Sequence, residues 1–180
     1  MDKHSSEENR IIEGCAIKSE KHQEMLYKLY YGYVMAISLT YCTDRCVAQE
    51  ITDDSFMKVF NSIDKFNNKL PFKAWLRRIT VNTAIDNYRR NKKHMNHLDI
   101  SESSIGLPTA DMIDQLTIDD IDKLIGQLPD VLKMVFNLYE IEGYDHQEIA
   151  RSLNISESSS RTYLMRAKIK LGKLVKKHFD

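Results

Sequence analysis

The stretch from Asp145 to Phe179 constrains this chain more than any other, because its local signals define two helices and a sharp turn between them. Asp145 is a favourable N-cap, and Glu148 stands three residues on, at the reciprocal position of a capping box. The first helix is read over Asp145 to Leu153, and Asn154-Ile155 break it. Asparagine tolerates the left-handed backbone that a tight interhelical turn needs. Ser156 then caps a second, longer helix, with Glu157 in the first turn, where the helix dipole favours a negative charge. Ile149, Leu153, Ile155 and Leu164 are spaced to share a core, and Ala150 is small where the two helices cross. The pattern is that of a helix-turn-helix. Its second helix opens on Ser158-Ser159-Ser160-Arg161-Thr162, short polar and basic side chains suited to base edges and phosphates in a major groove. A plain helical hairpin with a polar face fits the same residues, so this segment alone leaves both readings open.

The rest of the chain is helical in period too. From Ser19 to Tyr41 the apolar positions Met25, Leu26, Leu29, Tyr30, Tyr33, Val34 and Ile37 recur at helical spacing, and the tyrosines read as core. Thr43 is expected to cap a helix over 44–62, apolar at Val47, Ile51, Phe56, Val59 and Phe60 and polar at Gln49, Glu50, Asp53, Asp54 and Lys58. Residues 63–70 break the pattern as a loop around Phe66, and Pro71 suits the first turn of a third helix holding Phe72, Trp75, Leu76 and Ile79. Steps of four, three and four place Arg78, Asn82, Ile85 and Arg89 on one face of it. Further on, 119–126 suits a short helix. Pro129 starts another with a core face of Val131, Leu132, Val135, Phe136 and Leu138, and Gly143 ends it. The final helix carries a packing stripe of Ala167, Leu171, Leu174, Val175 and Phe179. No repeat and no strand-like alternation competes, so the expected fold class is all-α with two small helical domains. The expected division is a mobile N-terminal tail over 1–18, a first domain over 19–95, a flexible acidic linker over 96–117 and a helix-turn-helix domain over 118–180.

A formal net charge of zero conceals a strong segregation. Lys73, Arg77, Arg78, Arg89, Arg90, Lys92 and Lys93 fall in one stretch with Asp86 as its one acid, and Arg161 to Lys177 is basic with no acid. Between them, Asp99, Glu102, Asp111, Asp114, Asp119, Asp120 and Asp122 stand without a Lys or Arg. Two basic stretches flanking an acidic connector suit two separate contacts with a polyanion, although two solvated helix faces would show the same pattern. The three cysteines, Cys15, Cys42 and Cys46, have no framework spacing and read as reduced thiols. No apolar run approaches a membrane span and the N-terminus lacks a signal core, so no membrane insertion is expected and a cytoplasmic location is. There is no phosphate-cradling Gly-rich loop, no clustered metal-ligand pattern and no nucleophile motif, so no catalytic residue, cofactor or metal site is assigned. What the residues offer is binding chemistry. Arg77, Arg78, Arg89, Arg90, Lys92 and Lys93 suit phosphate contacts. Phe66 and Asn82 are of the types that stack on and hydrogen-bond an unstacked base, though a loop-closing Phe and a surface amide explain them equally. Trp75 reads as a core anchor.

The segment from Phe72 to Arg90, FKAWLRRITVNTAIDNYRR, resembles a specific pattern of the extracytoplasmic-function (ECF) class of sigma-70 family RNA polymerase sigma factors: Trp-Leu, Ile, Asn, Ala-Ile-Asp and a closing Arg-Arg. Gln127-Leu128-Pro129, the helix-turn-helix and Arg166-Ala167-Lys168 resemble the same family, and the likeness spans about Glu24 to Lys177. The resemblance implies a dissociable, non-enzymatic subunit of RNA polymerase that recognises promoter DNA. The alternative is a stand-alone helix-turn-helix regulator on duplex operator DNA. By resemblance, Glu50, Asp53, Asp54, Phe56 and Lys58 dock on the clamp of the largest polymerase subunit. Phe66, Arg77, Arg78, Asn82, Arg89, Arg90, Lys92 and Lys93 engage the minus-ten element and capture a flipped base. Ser158, Ser159, Arg161, Thr162 and Arg166 read the minus-thirty-five duplex, on a domain that meets the flap of the second-largest subunit. An anti-sigma factor is an implied further partner. Four positions depart from the family pattern: Asp53-Asp54 replace a usual Gln-Glu pair, Ser158 replaces a common Gly, and Ser160 stands where many members have an aliphatic residue.

Overall fold

The computed structural model describes residues 3–67, 69–91 and 117–179, and no strand occurs among them. The all-α expectation holds. Two compact units form, one from residues 1–39 and 44–87, the other from 40–43 and 88–180. The expected linker lies outside the described residues except for Thr117, as do Lys92 and Lys93.

The first unit corrects the reading of the N-terminus. Residues 3–16 are not a loose tail but a helix, α1 (Lys3–Ala16), whose Ile11, Ile12 and Cys15 are buried in the core. Three apolar positions in a polar surrounding are too few to show a period, so only tertiary burial reveals their role. A left-handed turn ends α1: Lys18 has φ 59°, its N–H donates to the Cys15 carbonyl (2.9 Å), and the Ser19 N–H donates to the Gly14 carbonyl (3.1 Å). Gly14 is required there, because a Cβ would overlap the His22 ring.

The next helix, α2 (Glu20–Tyr41), buries Leu26, Tyr30, Val34 and Ile37, but Leu29 lies at the stripe's outer edge and is 55% exposed. Asp44, not Thr43, caps α3 (Arg45–Ser62): its carboxylate accepts the Cys46 N–H at 2.7 Å. Asp is the stronger cap of the two, and the helix starts one residue later than expected. A buried polar joint ties α2 to α3. The Ser38 and Thr52 hydroxyls lie 3.1 Å apart, one donating to the other, and each has a carbonyl acceptor within its own helix, so neither is left unsatisfied. A short 3-10 turn (Ile63–Lys65) follows, packed along α1, with Ile63 buried. The Pro71 carbonyl accepts the first N–H groups of α4 (Phe72–Asn91), as its placement in the sequence suggests. Leu26, Tyr30, Phe56, Val59, Phe72 and Leu76 form the centre of this unit's core.

In the second unit Thr117 and Asp120 form a capping box for α5 (Ile118–Gly126), so a residue expected to end the linker begins a helix instead. Pro129 stands before α6 (Asp130–Phe136), which widens into a π turn (Asn137–Ile141) that periodicity did not reveal. Gly143, at φ 75°, ends it. The helix-turn-helix follows as α7 (His146–Leu153) and α8 (Glu157–Phe179). Leu132, Leu138, Ile149, Leu153, Leu164 and Ala167 are buried, whereas Val131, Phe136 and Ile155 are only half-buried. Phe179, expected in the packing stripe, is 39% exposed at the end of α8.

Candidate nucleic-acid interface

The helix-turn-helix is built as its sequence dictates. The Asp145 carboxylate accepts the Glu148 N–H at 2.7 Å, and the Glu148 carboxylate accepts the Asp145 N–H at 2.9 Å. Asn154 takes φ 53° and ψ 55°, and the Ile155 N–H reaches back to the Ala150 carbonyl at 3.1 Å. The Ser156 hydroxyl accepts the Ser159 N–H at 3.0 Å and caps α8.

The three serines that open α8 then diverge. Ser158 is exposed and Ser159 half-buried, both hydroxyls within 2.9 Å of the Ser156 hydroxyl. Ser160 points inward, fully buried, with its hydroxyl 3.0 Å from His146 Nδ1. The His146 ring stacks on Tyr139 with centroids 4.6 Å apart. A polar tie therefore replaces aliphatic packing behind the recognition helix, and the histidine that supplies it was missed because it lies 14 residues upstream. Burial, then repulsion from Arg161, holds the His146 pKa below its ordinary 6.5, with Glu157 and Asp145 opposing.

Arg161 is exposed and pairs with Glu157 at 2.6 Å; Thr162 and Arg166 are half-buried. Thr162 donates to the Ser158 carbonyl, so its hydroxyl is already committed within α8. Met165, 49% exposed, shares the face of Ser158, Arg161 and Thr162, and only the seven-residue step from Ser158 signals it in the sequence.

Along α4, Arg78, Asn82, Arg89 and Arg90 are exposed and Arg77 is half-buried. Ile85 is not part of that surface: it is 5% exposed and belongs to the core side. Asp86 pairs with Lys58 at 2.9 Å, joining α4 to α3 and engaging a lysine assigned to docking. The Phe66 ring packs edge-on against Phe72 (5.2 Å) and beside Trp75 (5.3 Å), so it is half-buried in an aromatic cluster. Asn82 lies two helical turns beyond Trp75 on the same face, roughly 10 Å along the axis. Phe66 and Asn82 thus flank the exposed Arg78 along one side of α4.

On α3, Glu50 and Asp53 are exposed and Asp54 is half-buried. Phe56 is a correction. It is 2% exposed, its ring tilted against that of Tyr27 with centroids 4.6 Å apart, and it backs the surface instead of meeting a partner. Among the described residues no group of three or more His, Cys, Asp or Glu is arranged to hold a metal, and no helix is long and apolar enough to cross a membrane. None of the cysteines is in a disulfide, and burial pushes the Cys15 thiol up to about 11.

Two family models match this chain: Sigma-70 region 2 over residues 26–94 and Sigma-70, region 4 over residues 118–171. The first runs from within α2 to the end of α4, and the second from the start of α5 into α8 across the helix-turn-helix. The ECF RNA polymerase sigma factor SigM of Bacillus subtilis (strain 168) is 25% identical over 151 residues, 81% of this chain and 90% of the relative. The ECF RNA polymerase sigma-E factor of Haemophilus influenzae is 25% identical over 171 residues, 88% of this chain and 89% of the relative. A solved structure of the sigma factor RpoE in complex with the anti-sigma factor NepR from Bartonella quintana is 20% identical, with a TM-score of 0.48 over 85% of this chain and 96% of that one. The chain belongs to the sigma-70 family, in its extracytoplasmic-function class.

Proposed function

We propose that this chain acts as a dissociable subunit of RNA polymerase, anchored upstream on a promoter by α8 and opening the DNA downstream with α4. The observation that carries this reading is the presence on one chain of two separate polar-basic helices, α4 and α8, each overlapping a different sigma-70 region match. A stand-alone operator-binding regulator needs only the helix-turn-helix, and the exposed Arg78, Asn82 and Arg89 of α4 would then serve no purpose.

In this reading Ser158, Ser159, Arg161, Thr162 and Arg166 contact the minus-thirty-five duplex, with Met165 beside them for apolar contact to a thymine methyl. Duplex contacts by Arg161 first displace Glu157 from its ion pair. Arg77, Arg78, Arg89, Arg90, Lys92 and Lys93 supply phosphate contacts at the minus-ten element, and Asn82 supplies the hydrogen bonds to an extruded base. The Phe66 ring, held by Phe72 and Trp75, forms a stacking wall at one end of that side of α4. Base capture offsets the few kcal/mol of unstacking, so melting is driven by binding energy alone. Glu50, Asp53 and Asp54 present negative charge from α3 to the clamp of the largest polymerase subunit, and the second unit meets the flap of the second-largest. An anti-sigma factor that covers these surfaces completes the set of partners, and the work is done in the cytoplasm, where the promoters are.

The test is reconstitution with core RNA polymerase and promoter DNA. Asn82→Ala is expected to abolish open-complex formation, read by permanganate reactivity of unpaired thymines, while binding to an isolated minus-thirty-five duplex persists. Arg161→Ala is expected to weaken that duplex binding about tenfold. No binding to core polymerase, together with tight dimeric binding to a duplex operator, would refute the reading.

A further inference from the structure

We propose that Tyr27, Tyr31 and Gln49 are positioning residues that hold the Asp53 carboxylate of α3 in one orientation for a cationic group on core RNA polymerase. The proposal rests on the docking function given above for α3 and adds α2 to it.

The geometry is a chain of hydrogen bonds running from the core outward. Phe56 is buried, the Tyr27 ring lies 4.6 Å from it, and the Tyr31 ring lies 5.4 Å from Tyr27. The Tyr31 hydroxyl donates to Gln49 Oε1 at 2.5 Å. That contact orients the amide, because the Gln49 nitrogen must then face Asp53, where it donates to both carboxylate oxygens at 3.0 Å. The Tyr27 hydroxyl donates to Asp53 Oδ1 at 3.1 Å. Burial and the Asp53 carboxylate raise the pKa of Tyr27, so it remains a donor at neutral pH.

Two features separate this from an ordinary interhelical clasp. Every donor to Asp53 is neutral, and no Lys or Arg pairs with it among the described residues, so the exposed carboxylate keeps its full charge. Its rotamer is nevertheless set, which lowers the ordering cost of pairing with a cation. Neighbouring Glu50 is exposed on the same helix face and extends the acidic surface. A carboxylate that is charged, exposed and pre-aimed suits an Arg or Lys on a partner better than it suits internal stability.

The experiment is a double-mutant cycle on the full chain, read as affinity for core RNA polymerase. Asp53→Asn is expected to weaken binding about tenfold, a loss that shrinks with added salt. Tyr27→Phe keeps the ring on Phe56 and is expected to weaken binding about threefold. In the Asp53→Asn background Tyr27→Phe is expected to cost nothing further. A threefold loss that persists in that background, or no loss from Tyr27→Phe and Tyr31→Phe where Asp53→Asn has one, overturns the positioning role. A chain that binds core polymerase equally well with Asp53→Asn overturns the docking assignment of Asp53 itself. Failure of the unsubstituted chain to bind core polymerase refutes the proposed function instead. Circular dichroism of each variant separates all of these from misfolding, since a merely structural clasp would lower thermal stability without the coupling in affinity.

Discussion

Asn154 sits at the turn of the helix-turn-helix with φ 53° and ψ 55°, exposed, and its side chain makes no hydrogen bond among the described residues. Replacing it therefore tests the backbone alone. The left-handed conformation costs an ordinary L-residue about 1–2 kcal/mol, and asparagine escapes part of that. Asn154→Ala forfeits the allowance and is expected to destabilise the second unit by about 1 kcal/mol. For a unit of just under 100 residues that is about 4–8 °C in Tm. Asn154→Gly also deletes the side chain but removes the steric penalty, at the cost of a more flexible unfolded chain. It is expected within about 0.5 kcal/mol of the parent. Thermal unfolding by far-ultraviolet circular dichroism measures both. Because the two replacements lose the same polar group, equal destabilisation by Ala and Gly would assign the effect to the side chain and refute the backbone argument; so would a neutral Ala.

Gly14→Ala places a methyl group against the His22 ring and is expected to lower the stability of the first unit by about 1–3 kcal/mol. Adding His22→Ala should recover most of the loss in the same melting experiment, and no recovery would mean the clash is not with that ring. The lowered pKa of His146 has a sign that can be read in stability against pH. The unfolded chain, with its pKa near 6.5, takes up the proton more readily than the folded one, so the contribution is complete above about pH 6.5 and is lost as the pH falls below it toward the folded value. The second unit should therefore melt earlier as the pH drops from about 7 to 5.5, and His146→Gln should flatten that dependence. An unchanged slope would show that His146 does not carry it.

The helix-turn-helix was legible in the sequence to the residue, because its determinants are local. Asp145 and Glu148 cap each other across three positions, Asn154 answers a backbone requirement at its own position, and Ser156 satisfies an N–H three residues on. The same holds for Pro71 before α4 and Gly143 after the π turn. Such signals act between neighbours, so the order of residues is enough to show them.

Burial is not local, and there the sequence was silent or misleading. Phe56 falls at the edge of a helix face, and only the seat of Tyr27 against it decides that it packs inward while Asp53 faces solvent. Ser160 reads like its neighbours Ser158 and Ser159 until the fold brings His146 beside it. Phe66 becomes part of an aromatic cluster once Phe72 and Trp75 close on it, and α1 acquires a role when Ile11, Ile12 and Cys15 meet α2 and the turn at Ile63.

The chain of residues by itself determined the class of fold, the two basic helices and the geometry of the DNA-reading turn, because caps, periods and charge runs are written in short-range order. Tertiary structure alone decided which of those side chains remain at the surface to meet a partner. That choice depends on contacts between residues far apart in sequence, whose pairing no local pattern encodes.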